Sequence, residues 1–342
     1  MAPGRAAAAL AAAQRRRVLV LGALLVVLAV VLVLSIGVGA VWIDPARVVR
    51  SLVGAGTAVD QKIIVGLRLP RVLAAVLIGA ALAVSGVLLQ AITRNSLASP
   101  SVVGVNGGAG LGALAVLSLA PGATANTAVP LAAFAGAAVA GGAAYLLSRR
   151  QGIVNPGRLA LIGVAIGGLT MALIQLIIVL TLMQGDVQAS LRWLTGSLWG
   201  RTWDNVLQLT PWVAVGLPAA WILASATDIL GLGDDVPRSL GSRLEALKLG
   251  LLVIAIGLAG SAVAVGGSIA FIGLVAPHVC RRLVGPGHRT LIPAAALVGA
   301  ALVLAADTLG RAIVPPTEIP VGLFTALIGA PYFLLQIRRG IA

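Results

Sequence analysis

Apolar residues in this chain run in long blocks, and polar residues fall in short clusters between them. Ten blocks read as helices, at about 18–42, 65–92, 101–120, 128–148, 159–182, 206–226, 249–267, 269–284, 291–313 and 319–337. Most are near the length of about 20 residues that a helix needs to cross ~30 Å of hydrocarbon. The seventh and eighth are separated only around Gly266 and Gly267. The pattern predicts an all-α polytopic membrane protein, a single transmembrane domain over 1–342 with about ten transmembrane helices. Residues 1–17 read as a cytoplasmic N-terminal tail and 228–248 as a cytoplasmic loop. Small residues recur at spacing four in Gly104–Gly108–Gly112, Gly163–Gly167 and Gly196–Gly200. In membranes that spacing lets helix backbones approach closely, so a tightly packed bundle is expected.

Composition agrees with this reading. Hydrophobic residues make up 59% of the chain, charged residues 10%, and mean hydropathy is +1.07. Soluble domains carry about 25% charged residues. The net charge of +14 raises the question of nucleic acid. The arginines sit between apolar blocks and form no aromatic-laced basic face, so no nucleic-acid partner is expected. The single cysteine, Cys280, excludes an internal disulfide. Arg15, Arg16 and Arg17 precede an apolar run, and "GVGA" at 37–40 faintly resembles a cleavage site. Because the rest of the chain is equally apolar, the run reads as an uncleaved first span.

The basic residues orient the bundle. With the N-terminus inside and the spans alternating, the 24 Lys and Arg divide two to one in favour of the inner face. The outer minority is Arg47, Arg50, Lys62, Arg68, Arg71, Arg192, Arg201 and Arg311. Both termini are then cytoplasmic. Within "GLRLPR" (66–71), Pro70 suits the first turn of a helix. Two arginines at a helix N-terminus oppose the macrodipole by ~0.3–1 kcal/mol each. Two readings stand: Arg68 and Arg71 snorkel to lipid headgroups, or they form a docking site for carboxylates.

Catalytic machinery is not legible. Neither lysine, Lys62 or Lys248, sits in a GxxxxGK[ST] loop, and "GGAGLG" (107–112) lies inside an apolar block. No His, Cys or carboxylate cluster has metal-ligand spacing, so no cofactor or metal is expected on this chain. No charged residue falls in the middle of a span, which opposes a secondary transporter driven by an ion gradient. The polar residues nearer the interior are Gln90, Asn106, Thr170 and Gln175, candidates for a weakly polar pathway. The energy for transport is then expected from a partner. The polar loop "DILGLGDDVPRSLGSRLEALK" (228–248) is either an ordinary amphipathic connector or an element that inserts into a cytoplasmic partner.

Several motifs together resemble one family. They are "RLPRVLAAVLIGAALAVSGVLLQAITRNSLASPSVVGVNGGAG" (68–110), "GLGDDVPRSLG" (231–241), "GSIAFIGLVAPHVCRRLVGPGHR" (267–289), "ADTLGR" (306–311) and "EIPVGLFTALIGAPYFL" (318–334). The chain resembles the permease family of ABC importers for ferric siderophores, haem and cobalamin, weakest before residue 60. "WLTGSLWGRTW" (193–203) with "GLGDD" is most similar to the ferric-siderophore branch; cobalamin or haem is the alternative cargo.

The resemblance implies two permease subunits side by side, with a path along their interface. It implies two cytoplasmic ATPase subunits, which use ATP and Mg²⁺, and an external substrate-binding protein. Residues 229–244, with Leu230, Gly231, Asp234, Asp235, Leu240 and Gly241, would seat in the ATPase as coupling helices. Arg68, Arg71 and Arg311 would accept acidic residues of the binding protein, with Asp307 orienting Arg311. The chain departs from the family pattern at "RNSLASP", where proline usually follows asparagine; Ser96 is expected to loosen that turn.

Overall fold

The computed structural model describes residues 3–39, 41–119, 127–150, 153–181, 193–231 and 244–338. Its helices in chain order are α1 (Pro3–Gly37), α2 (Pro45–Leu52), α3 (Ala58–Gln61), α4 (Leu69–Thr93), α5 (Val105–Leu119), α6 (Ala128–Ser148), α7 (Pro156–Thr181), α8 (Trp203–Ile222), α9 (Ala224–Leu230), α10 (Leu244–Gly266), α11 (Ile272–Val284), α12 (His288–Ala312) and α13 (Val321–Arg338). A π-helical turn, Lys62–Arg68, joins α3 to α4, and β1 (Arg149–Arg150) pairs with β2 (Ile153–Val154) in a small hairpin. Helices α1, α4 to α8 and α10 to α13 follow the ten predicted blocks in order. Among the described residues six are long and apolar enough to cross a membrane, α8 and α9 reach that length and apolarity only together across a 60° bend, and α5 and α13 are shorter apolar helices. The chain is an all-α polytopic membrane protein with about ten transmembrane helices.

Helix α4 is the centre of the bundle. Its most apolar window is 83% buried, against 11% for α1 at the periphery. Small residues let its neighbours close on it. Gly79 of α4 and Gly299 of α12 face one another so closely that a Cβ on either would collide with the other's carbonyl. A Cβ on Gly86 would likewise collide with the carbonyl of Gly273 of α11, and one on Gly273 would press on Leu82 O of α4. Without a hydrophobic drive between helices in lipid, such close packing and interhelical hydrogen bonds hold the bundle. Two bonds reach out from α4: Ser85 Oγ donates to Ala255 O (2.7 Å) and Gln90 Nε2 to Gly273 O (3.2 Å).

The structure departs from the sequence pattern at several points. Helix α1 is continuous from Pro3 to Gly37, so the residues before the first apolar block are helical, and the apolar span runs over Ala11–Gly37. Gly196 and Gly200 are not helix-packing residues. Both lie in the left-handed region, φ +72° and +70°, in the non-helical stretch before α8. That stretch is held by other backbone: Ser197 N–H donates to Gly266 O (3.0 Å) and Gly322 N–H to Gly196 O (3.1 Å). Irregular backbone inside a membrane protein is tolerated where protein satisfies it, and here it does. The predicted loop 228–248 is flanked by helix, since 228–230 close α9 and 244–248 open α10. The turn at "RNSLASP" is firmly closed. Asn95 Oδ1 accepts from Leu97 N–H (2.9 Å) and Asn95 O from Ala98 N–H (3.1 Å), so Ser96 sits inside an Asx turn.

The contrast between crowded and open glycines gives a matched test. Gly79→Ala should lower the unfolding temperature of the purified protein, with an overpacking cost of about 1–3 kcal/mol. Gly167, on α7, has nothing within 4 Å of its Cβ position, and Gly167→Ala should leave that temperature unchanged or raised.

Candidate functional site

The stretch that begins at Arg68 is not a helix start. α3, the π-helical turn and α4 run on from Ala58 to Thr93, with Thr57 capping α3 through Asp60 N–H (3.2 Å). The macrodipole penalty expected for Arg68 and Arg71 therefore does not apply, because the helix N-terminus lies ten residues upstream, with Asp60 in its first turn. Pro70 would break a regular helix by removing a donor. The π-helical register precedes it, with Leu69 N–H reaching Ile64 O, and the chain passes from π to α at this point. Asp60 also pairs with Arg47 of α2 at 2.5 Å, bracing the short helices before the π turn.

Three of the sequence-predicted arginines and Asp307 do converge. Arg71 lies against Asp307, Nε at 3.1 Å from both carboxylate oxygens and Nη2 at 2.8 Å from Oδ1. Asp307 Oδ2 also accepts from Arg311 Nε at 3.1 Å, one helical turn away on α12. Asp307 and Arg311 side chains are 2% and 5% exposed, and Arg71 is 13% exposed. Glu318 joins the cluster at 2.8 Å from Arg71 Nη1. The sequence pattern noted Glu318 only as part of a turn. It reaches Arg71 because its segment folds back on α12, with Ile319 N–H donating to Gly310 O (3.1 Å).

The remaining guanidinium donors go to backbone at the end of α1. Arg68 Nη1 donates to Ile36 O (2.7 Å) and Gly37 O (2.8 Å), and its Nη2 donates to Val41 O. Arg311 Nη2 donates to Ser35 O (3.1 Å) and Ser35 Oγ (2.8 Å), and its Nη1 to Val38 O. Helix α1 has no basic residue in its own last turn. Arg68 at the end of the π-helical turn and Arg311 of α12 thus supply the positive charge and the donors that its terminal carbonyls need. Gly39 leaves room for this, since a Cβ there would lie 2.9 Å from Arg68 Nη2.

The four pathway candidates lie on three helices, Gln90 on α4, Asn106 on α5, and Thr170 and Gln175 on α7. Gln90 is buried between α4 and α11, as described above. Thr170 Oγ1 donates to Ile166 O and Gly167 O of its own helix (both 2.9 Å) and packs against Gly107. Asn106 is half-buried at the start of α5, and Gln175 is exposed on α7.

At the opposite end of α4 and α12, short contacts hold α9. Arg94, the left-handed residue that ends α4, donates from Nε to Leu230 O at 2.8 Å. Asp228 Oδ1 accepts from His288 N–H (3.0 Å) and lies 2.6 Å from His288 Nδ1, so it caps α12 from another element. Trp221 Nε1 donates to Arg289 O (3.0 Å), and the Arg289 guanidinium lies 5.2 Å from the centre of the Trp221 ring. Of the predicted coupling residues, Leu230 is buried in the bundle and Gly231 follows it; Asp234, Asp235, Leu240 and Gly241 lie outside the described residues. Arg94, Asp228 and His288 were not legible as a set, because their partners are distant in sequence.

The helical bundle is that of a membrane permease, as comparison with known proteins shows. The chain belongs to the FecCD transport family, whose model matches residues 26–339. Its members are permease components and not themselves catalytic. It is similar to the Fe(3+)-citrate import system permease protein YfmE of Bacillus subtilis (strain 168), 47% identical over 315 residues, covering 92% of this chain and 93% of that protein. It is also similar to the iron(3+)-hydroxamate import system permease protein FhuG of the same organism, 37% identical over 318 residues, covering 91% and 94% of the two chains. Among solved structures, a metal-chelate type ABC transporter in an inward-facing conformation matches with a TM-score of 0.82 at 28% identity, covering 94% of this chain and 99% of that one.

Asp307 satisfies two arginines at once, so its loss leaves buried charge uncompensated. Asp307→Asn should destabilise the protein by about 3–5 kcal/mol, the range for breaking a buried ion pair. Thermal unfolding in nanodiscs reads this; an unchanged transition would remove the clasp from the account of stability.

Proposed function

We propose that this chain is the membrane permease of an ATP-driven importer that carries a ferric-siderophore complex inward across the cytoplasmic membrane. The observation that carries the reading is the family match over residues 26–339. The iron-permease relatives favour a ferric chelate over cobalamin or haem as cargo. Two permease subunits, two copies of this chain or this chain with a related one, enclose the path. Two cytoplasmic ATPase subunits bind ATP and Mg²⁺ and supply the energy. Both termini face the cytoplasm, as the distribution of basic residues favours.

An external binding protein brings the cargo to the end that carries Arg68, Arg71, Asp307 and Arg311. Acidic side chains of that protein approach the cluster, and its excess of cations over carboxylates favours them. ATP binding then closes the ATPase subunits. Residues 229–244, with Leu230, Gly231, Asp234, Asp235, Leu240 and Gly241, carry the motion into the bundle. Gln175 on α7 and Asn106 on α5 are the candidates for contact with the passing chelate; Gln90 and Thr170 support the packing behind them.

Uptake of radiolabelled ferric chelates by a deletion strain tests the function. Restoring this chain should restore uptake that vanadate abolishes, whereas vanadate-resistant uptake would point to a secondary transporter. Leu240→Asp should leave ATP hydrolysis running while uptake falls to background, and tight coupling in that variant would count against the coupling role.

A further inference from the structure

Among the described arginines that the charge distribution puts on the outer face, one buried guanidinium differs in how it is satisfied; Arg50, which is exposed, donates to Ala46 O. Arg71 and Arg311 share Asp307, Arg47 holds Asp60, and Arg68 is occupied by three carbonyls. Arg201, in the non-helical stretch before α8, has no carboxylate partner among the described residues. Its Nη2 makes one long bond to Ser197 O at 3.4 Å, and its buried Nε has no acceptor. A largely buried guanidinium without a counter-charge is costly, and such groups are kept where something pairs with them. Burial, and then the repulsion of Arg71 nearby, push Arg201 down to about 10. It remains a cation at neutral pH.

Its surroundings say what kind of partner fits. Trp199 and Trp203 flank it in sequence and are 59% and 39% exposed. Trp203 Nε1 donates to Val65 O (3.0 Å) in the π-helical turn that ends at Arg68. The stretch around Arg201 is therefore tied to the segment that bears Arg68 and Arg71, and the three arginines belong to one patch. Arginine and tryptophan together are the residue types that dominate binding energy at protein interfaces.

We propose that Arg201 is the residue of this patch that takes a carboxylate of the external binding protein, with Trp199 and Trp203 as the apolar rim that excludes water around the pair. Arg71 and Arg311 already have internal acids, so an incoming carboxylate gains most where none is present. The inference rests on the docking reading above and adds to it a specific acceptor.

The test is binding of the loaded binding protein to the permease–ATPase complex in nanodiscs of neutral lipid, for the unaltered protein, Arg201→Gln and Arg68→Gln. Arg201→Gln should weaken binding about tenfold or more, as loss of a central charged contact does. It should also flatten the dependence of affinity on salt, which a purely structural role would not do. Because the change removes a buried charge that has no carboxylate beside it among the described residues, the unfolding temperature should not fall. Unchanged affinity in Arg201→Gln with weakened binding in Arg68→Gln would overturn this inference and leave the docking reading standing. Unchanged affinity in both would overturn both. If Arg201→Gln alters affinity only when anionic lipid is present, Arg201 serves headgroup phosphates, and the inference fails.

Discussion

The Asp307 carboxylate is the contact on which the arrangement of this end of the bundle depends. It is buried, and it holds Arg71 of α4 and Arg311 of α12 together. Each guanidinium has donors left over once Asp307 is satisfied. Those of Arg71 take Glu318, and those of Arg311 take Ser35 and Val38 at the end of α1. One carboxylate thereby fixes the relative positions of α1, α4, α12 and the segment before α13. In a low-dielectric setting a charge of this kind must be fully paired, and the count of donors and acceptors here comes close to that condition.

Below this clasp, α4 and α12 touch through Gly79 and Gly299, with backbone against backbone. At their far ends the same two helices grip α9, through Arg94 to Leu230 O and through Asp228 to the first turn of α12. The pair is thus one packed unit with a charged cluster at one end and the start of the predicted coupling segment at the other. That continuity gives a physical route by which an event at the arginines could bias the position of α9. A packed pair of this kind shifts as a body more readily than it deforms.

The helices were legible in the sequence because hydrophobic blocks report membrane spans almost directly. Charge placement also drew attention to Arg68, Arg71 and Arg311, which do converge. What the sequence did not reveal was how they are satisfied. Arg71 and Asp307 are 236 residues apart, and Arg68 bonds to carbonyls, which carry no side-chain signature. The dipole argument about Arg68 and Arg71 failed for a local reason, since a π-helical turn extends the helix upstream past Pro70. Gly196 and Gly200 matched a helix-packing pattern yet serve as left-handed turn residues, because spacing alone cannot separate the two uses. Arg201 reads in the sequence as one of several outer charges; that no carboxylate among the described residues pairs with it is visible only in the fold.

The proposed docking places the protein that delivers the cargo on the charge at the Arg71 end of the bundle. Its most direct test is ATP hydrolysis by the reconstituted permease–ATPase complex, titrated with loaded binding protein across a series of salt concentrations. Half-maximal stimulation should shift to higher binding-protein concentration as ionic strength rises, while the maximal rate is kept. Stimulation with the same midpoint at every salt concentration would contradict it.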